Sequence, residues 1–413
     1  MNLGPRFLML YVLPFAAVLL AGSARAAEFV LTPSITISEE FNDNIAEDKQ
    51  RTLGSEFITR AIPGLAVHYA APFWVWDGIY SDEYRYYDLN KRKSENLPNL
   101  STKTKLTLID QKAFIDISDI YSRVSLDQSI DTTKNSLFYN QSDQNVFTIS
   151  PNFILRPMSN LTLKPGISYQ NIWYKSSPVG NNEVYGATLG SEYEMTNKLF
   201  ITSDYAFGLT ESKANESKTH SAQAGLKYEF AKDSFIEAEG GYSWYTASGA
   251  TTGNPLWSFS ANYAGDLYKF KAGVGEKYTT DPLTNKGTLV TNYDLAFDWI
   301  LNKGSLGLVS GISNIKTMPD NTISSISYNN TANLLYTILP DWDATVSYTF
   351  NFIDIRYSQT FTKVSICNVG LKYAFRTDTT ISFNYANTHM YSPVIESDNK
   401  DINSCTIQIS KTF

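Results

Sequence analysis

From residue 342 the chain places Trp342, Ala344, Val346, Tyr348, Phe350 and Phe352 on one parity and Asp343, Thr345, Ser347, Thr349 and Asn351 on the other. A period of two puts these sets on opposite faces of a β-strand. The pattern recurs. Leu199, Ile201, Tyr205, Phe207 and Leu209 alternate with Thr202, Asp204, Gly208 and Thr210. Ala222, Ala224, Leu226, Tyr228 and Phe230 alternate with Ser221, Gln223, Lys227 and Glu229. The last residues repeat it, with Cys405, Ile407, Ile409 and Phe413 against Ser404, Thr406, Gln408, Ser410 and Thr412. A strand crossing a bilayer at a tilt needs about 9–11 residues, and these runs are that long. A soluble propeller or β-helix would use shorter strands.

Short turn signals separate the runs: Ala71-Pro72, Asp110-Gln111, Arg156-Pro157, Thr196-Asn197-Lys198, Ala231-Lys232-Asp233, Gly265-Asp266, Leu301-Asn302-Lys303, Pro340-Asp341 and Arg376-Thr377-Asp378. Each joins two alternating runs, which is a hairpin signal. Aromatics stand in register before them (Tyr193, Tyr228, Tyr263, Trp299, Tyr336, Tyr373) and after them (Tyr205, Tyr242, Tyr348, Tyr385). Rows of aromatics at a fixed distance from a turn mark membrane interfaces. The other hairpin ends are longer and rich in Gly, Asn, Ser, Asp and Thr, as exposed loops are. The pattern predicts an all-β fold: a transmembrane antiparallel up-and-down β-barrel of the outer-membrane type, with about 20 strands and 18 still open. The terminal strand is expected to pair with the stretch from Ile35 to Phe41 and close the sheet.

The N-terminus fits this location. Arg6 precedes an apolar run from Phe7 to Ala21, and Ala24-Arg25-Ala26 offers a small-x-small cleavage site. Residues 1–26 are therefore expected to be a signal peptide, with the barrel spanning 27–413. Ser23 stands where a lipid-anchored form would need a cysteine. Mean hydropathy is −0.24, which alone would indicate a soluble protein. A barrel averages this way because half of each strand faces water. Tyr 27, Phe 23 and Trp 7 supply the aromatic girdles. A net charge of −7 argues against nucleic acid as a partner. Cys367 and Cys405 share the apolar parity with one strand expected between them, about 9–10 Å apart and too far for a disulfide.

The polar parity carries the candidate chemistry. Pore-lining candidates are Arg60, Arg85, Lys103, Lys105, Lys269, Lys271, Glu192, Glu194, Asp204, Glu237 and Glu239. Lys164, Lys227, Lys372, Asp77, Glu83, Glu229, Asp294, Asp298 and Asp343 share the inward phase. Basic residues gather on the early strands and acidic ones on the middle strands. One reading is a charged track that selects polar solutes; the other is a wet wall whose charges pair across strands. The loop at 125–142 is the longest and, folded inward, would constrict the pore through Asp127, Asp131, Lys134 and Tyr139. His68, His220 and His389 lie on distant strands, and His220 and Ser221 point to opposite faces. No enzyme, metal site or cofactor is expected from such spacing.

Leu31-Thr32-Pro33-Ser34-Ile35-Thr36-Ile37-Ser38-Glu39-Glu40-Phe41-Asn42-Asp43-Asn44-Ile45 resembles the opening of the β-barrel porin 2 family. Ser55-Glu56-Phe57-Ile58-Thr59-Arg60-Ala61-Ile62-Pro63-Gly64-Leu65 is similar to that family's second element. The resemblance implies an outer-membrane barrel associated with exopolysaccharide genes, with polysaccharide-export components as partners and no catalytic residues to carry over. The expected function is a pore for a polar solute, with exopolysaccharide as one cargo. The alternatives are a surface-interaction barrel with a blocked lumen, or a sheath for a partner electron-transfer protein. Other expected partners are outer-membrane lipid and, through Phe413, the barrel-assembly machinery of a Gram-negative bacterium. Pro63-Gly64 within a strand predicts a bulge or bend.

Overall fold

The computed structural model describes residues 27–126, 141–213, 216–247, 249–280, 286–356, 359–393 and 399–413. The strands run in chain order: β1 (Glu28–Asn42), β2 (Glu56–Ala71), β3 (Trp74–Tyr87), β4 (Glu95–Ile109), β5 (Ala113–Ser125), β6 (Gln141–Phe153) and β7 (Leu155–Met158). Next come β8 (Leu161–Tyr174), β9 (Asn182–Thr196), β10 (Leu199–Ser212), β11 (Glu216–Ala231), β12 (Ser234–Ala247), β13 (Ala250–Ala264) and β14 (Tyr268–Thr280). The last are β15 (Gly287–Leu301), β16 (Gly304–Thr317), β17 (Thr322–Leu339), β18 (Trp342–Ile355), β19 (Thr360–Arg376), β20 (Thr379–Tyr391) and β21 (Lys400–Thr412). A 3-10 turn, Pro178–Gly180, interrupts the loop after β8.

All strands belong to one antiparallel sheet. β6 and β7 both pair with β8 and are separated by Ile154 alone, so they form one crossing and the barrel has twenty. β21 returns to β1, with Thr412 opposite Ser34 and Ser404 opposite Asn42. That is the closing pair expected from the terminal alternation. Closure leaves the sheet without terminal edges, which a bilayer requires because lipid offers no hydrogen bonds.

Alternation then decides which side chains face lipid. Ile37, Ile407 and Ile409 stay more than half exposed on the outer wall, and the Phe41 and Phe57 rings meet there at 5.2 Å. Near the short turns, Trp342 stacks on Tyr373 at 4.7 Å and Tyr268 on Trp299 at 6.2 Å. Exposed apolar side chains on one face of a closed barrel are what a hydrocarbon solvent permits. The chain is thus an outer-membrane barrel; barrels of this type keep their short turns in the periplasm, and its two ends are named by that rule. Cys367 and Cys405 are free thiols on the outer wall.

Two local expectations are corrected. Arg156-Pro157 lies inside β7, and the turn falls at residues 159–160. Pro63-Gly64 makes no bulge. Ala61 opposes Tyr84 and Gly64 opposes Ser81 in one register, and only the ladder between them is missing. Proline lacks the N–H a ladder needs, so a local gap is enough. Pro151 sits in a similar gap between β6 and β8. The leader at 1–26 lies outside the described residues.

Candidate functional site: the lumen

The pairing register carries one inward face around the barrel. Arg60 opposes Arg85, Lys103 opposes Asp77, and Lys105 opposes Val75. Glu192 opposes Thr202, and Glu194 opposes Phe200. Asp204 opposes Gln223, Glu237 opposes Lys227, and Glu239 opposes Gly225. Lys271 opposes Asn262, and Lys269 opposes Asp298. All eleven pore-lining candidates therefore sit on the lumen wall, on seven of the strands that build it.

Height along the strands divides them. In the periplasmic half, Lys103, Lys105, Lys269, Lys271, Glu194 and Asp204 are exposed to the lumen. In the extracellular half many inward side chains are buried: Ile58, Tyr87, Ser243, Tyr245, Ile353, Val364 and Met390 are all at most 5% exposed, while Val184, Thr210 and Thr219 on β9–β11 are half-buried. The lumen is a wet cup open toward the periplasm and packed toward the outside.

Charge pairing follows the same division. Arg60 pairs with Glu40 at 2.6 Å and Glu83 at 3.1 Å. Arg85 pairs with Glu83 at 2.5 Å and Glu95 at 3.3 Å, and the Tyr87 hydroxyl donates to Glu95. These two arginines are tied into the upper wall. Lower down, among the described residues, Lys103, Lys105, Lys269, Lys271, Glu194 and Asp204 make no ion pair. Lys105 sits 4.3 Å over the Phe114 ring. Glu192 reaches Lys164 at 3.4 Å. Glu239 accepts from the Thr202 and Ser258 hydroxyls, each at 3.0 Å, and Glu237 accepts from Ser260. Cross-strand pairing therefore ties the two upper arginines, whereas in the lower half it reaches Glu192 and Asp77 and leaves these six without an ion pair.

Two segments close the upper half. The loop after β1 packs Ile45 against Ile58 and Tyr87. Asn44 donates to the carbonyls of Asp48 and Asp401, and Lys400 meets Glu47 at 2.9 Å with both side chains buried. A hydrogen bond from the Thr52 hydroxyl holds the Asp48 carboxyl below its ordinary range. The second segment is the β14–β15 hairpin with the β16–β17 turn, which lean inward against β12 and β13. Neither was singled out from the sequence. An isolated Ile45 in a polar loop was the one signal for the first. The expected constriction residues Asp127, Asp131, Lys134 and Tyr139 lie outside the described residues.

The histidines do not form a catalytic group. His68 bonds Asp77 at 2.6 Å in the lumen, whereas His220 bonds Tyr205 and His389 bonds Asp401 on the outer wall. No cluster of three metal-ligating side chains occurs among the described residues.

No family model and no curated protein matches this chain. Among solved structures it is similar to the siderophore receptor PirA from Pseudomonas aeruginosa, with 13% identity and a TM-score of 0.48 over 93% of this chain and 80% of that one. It is also similar to the outer membrane protein opdK from Pseudomonas aeruginosa, with 11% identity and a TM-score of 0.43 over 94% and 98%. A loop-deletion mutant of OmpT from Vibrio cholerae matches at 9% identity and a TM-score of 0.40, over 94% and 100%. Identities and scores this low carry nothing about cargo.

Proposed function

We propose that the chain is an outer-membrane pore for a polar solute. The observation that carries this reading is the ring of solvated charges in the periplasmic half of the lumen. Six ionisable side chains there have no ion-pair partner among the described residues, whereas Arg60 higher up pairs with two glutamates. Unpaired charges in a wall are costly unless water or a solute meets them. Exopolysaccharide is one such cargo, supported by the resemblance of residues 31–65 and by the periplasm-facing mouth. An exported polymer would enter there.

Lys103→Glu with Lys105→Glu tests the reading. The two reversals change the local charge by about four units, each worth ~0.4 kcal/mol at ~10 Å through water. Screening lowers the total to about 1 kcal/mol, which is about a fivefold change in permeability ratio. Reversal potentials in planar bilayers should move toward cation preference. A conducting double variant with the original selectivity would refute a role for these lysines. A barrel that assembles and never conducts would favour the blocked-lumen alternative.

A further inference from the structure

The barrel wall is incompletely zipped at one place in its extracellular half. β12 and β13 pair along their whole length, from Phe235 opposite Asn262 to Ala247 opposite Ala250. β14 and β15 pair from Tyr268 opposite Trp299 to Thr280 opposite Gly287. Between β13 and β14 the ladder joins only Phe259–Ala264 to 269–274. Above Phe259, two neighbouring strand edges are unpaired with each other. Such edges are expensive in a bilayer, so the sequence must contain a reason.

Alternation supplies it. Val274, Glu276 and Tyr278 share the lipid-side parity of β14. If the ladder continued upward, Glu276 would come opposite Trp257 and face hydrocarbon, and a carboxylate there destabilises a barrel wall. The hairpin leans into the lumen instead, and its lipid-side parity packs on the inner faces of β12 and β13. Tyr278 stacks on Tyr245 at 5.6 Å, and its hydroxyl lies 2.8 Å from Ser243 Oγ. Leu289 and Met318 complete an apolar cluster with Tyr245 and Ala247. Asn321 donates to Asn254 at 3.0 Å, and the Thr252 hydroxyl donates to the Pro319 carbonyl. One Glu276 oxygen accepts from Thr291 at 2.9 Å, while the other is buried with no hydrogen-bond partner. Val290 and Ile315, on the opposite face of the tucked segment, are buried as well. The segment therefore occupies part of the lumen cross-section.

We propose that the β13–β14 seam is the gate of this lumen. In the open state the upper parts of β14–β17 swing out to the wall, and β14 zips to β13 in the register the lower ladder already sets. Lys277 then lies opposite Leu256 and Tyr278 opposite Pro255. The tucked segment leaves the lumen and the extracellular half clears. Glu276 holds the closed state, because opening carries it to the lipid face. The gate rests on the pore reading above.

The experiment replaces Cys367 and Cys405 by serine and adds one of two cysteine pairs. Leu256→Cys with Lys277→Cys forms a disulfide only when the seam zips, since the bond needs Cα atoms about 4.4–6.8 Å apart. Asn254→Cys with Asn321→Cys is bridged in the tucked state by a short bis-maleimide, which adds to both thiols. Each pair is combined with native Glu276, Glu276→Leu or the milder Glu276→Gln, and assembly is checked by heat-modifiable gel migration. The expected result has three parts. Tucked cross-links dominate with Glu276, zipped disulfides rise several-fold with either replacement, and single-channel conductance is low when locked tucked and high when locked zipped. A 256–277 disulfide that never forms in assembled barrels, while the 254–321 bridge does, overturns the gate. So does a zipped lock that leaves conductance unchanged. Cross-linking is read without conductance. A barrel that conducts in no form therefore removes the pore reading and the gate with it, whereas an immobile seam removes the gate alone.

Discussion

Glu47 and Lys400 form a buried pair that ties a loop to the barrel wall at 2.9 Å. Their side chains are 1% and 6% exposed, and they join the loop after β1 to the first residue of β21. Removing one charge of a buried pair costs about 3–5 kcal/mol, because its partner is left desolvated. A surface loop has little stability of its own, so it should lift rather than absorb that cost. Lys49 and Arg51 are already exposed on this loop, and Glu47→Ala is expected to speed its trypsin cleavage there on intact cells by freeing the backbone, with the barrel still assembled. Unchanged cleavage in an assembled variant would show that the pair does not hold the loop. Arg60 is the contrasting case. Paired with Glu40 and Glu83, it belongs to the scaffold of the upper wall. Replacing it should lower assembly more than it alters ion selectivity, which heat-modifiable migration and reversal potentials separate.

At the scale of elements, the strands are set by period two and their spacing by close approaches. A Cβ on Gly225 of β11 would collide with the Ala238 carbonyl of β12, and one on Gly241 of β12 with the Ala222 carbonyl of β11. Both would strike main chain, which cannot rotate away. Gly225→Val should therefore part the two strands and destabilise the barrel by about 1–3 kcal/mol, the usual range for overpacking. The observable is a lower unfolding midpoint in urea, with no change in conductance per assembled pore. Pairing and periodicity were legible in these elements because the face carrying Leu226 and Tyr228 is unlike the face carrying Gln223 and Lys227. The turn at 159–160 was misplaced because Arg156-Pro157 reads as a turn signal, and β7 continues the interrupted strand through it.

For the whole molecule, closure is decided where β21 meets β1. The Phe413 amide donates to the Pro33 carbonyl at 2.9 Å, beyond the last ladder pair. The Phe413 ring is 66% exposed on the outer wall, so it adds little packing. Its proposed role is recognition by the assembly machinery. Deleting Phe413 should reduce the amount of barrel in the outer membrane several-fold and leave single-channel conductance unchanged. Normal membrane levels with altered conductance would count against that role. The lumen as a whole is asymmetric, solvated below and packed above, so solute should meet the charged half before any closure.

Alternation by itself determined the strand-built fold, the membrane face, the closing pair and the inward phase of all eleven candidate residues. Each of these depends only on parity along the chain and on the solvent each face meets. Parity says nothing about height, pairing partners or whether an inward side chain is covered. Only the tertiary structure showed that Arg60 and Arg85 are tied into the upper wall while Lys103, Lys105, Lys269 and Lys271 stand in water. It alone placed Ile45 over Ile58 and Tyr87 and tucked Tyr278 against Tyr245. Those contacts join a loop to β2 and β3, and β14 to the inner face of β12, and they depend on how segments fold over one another rather than on parity along any one strand.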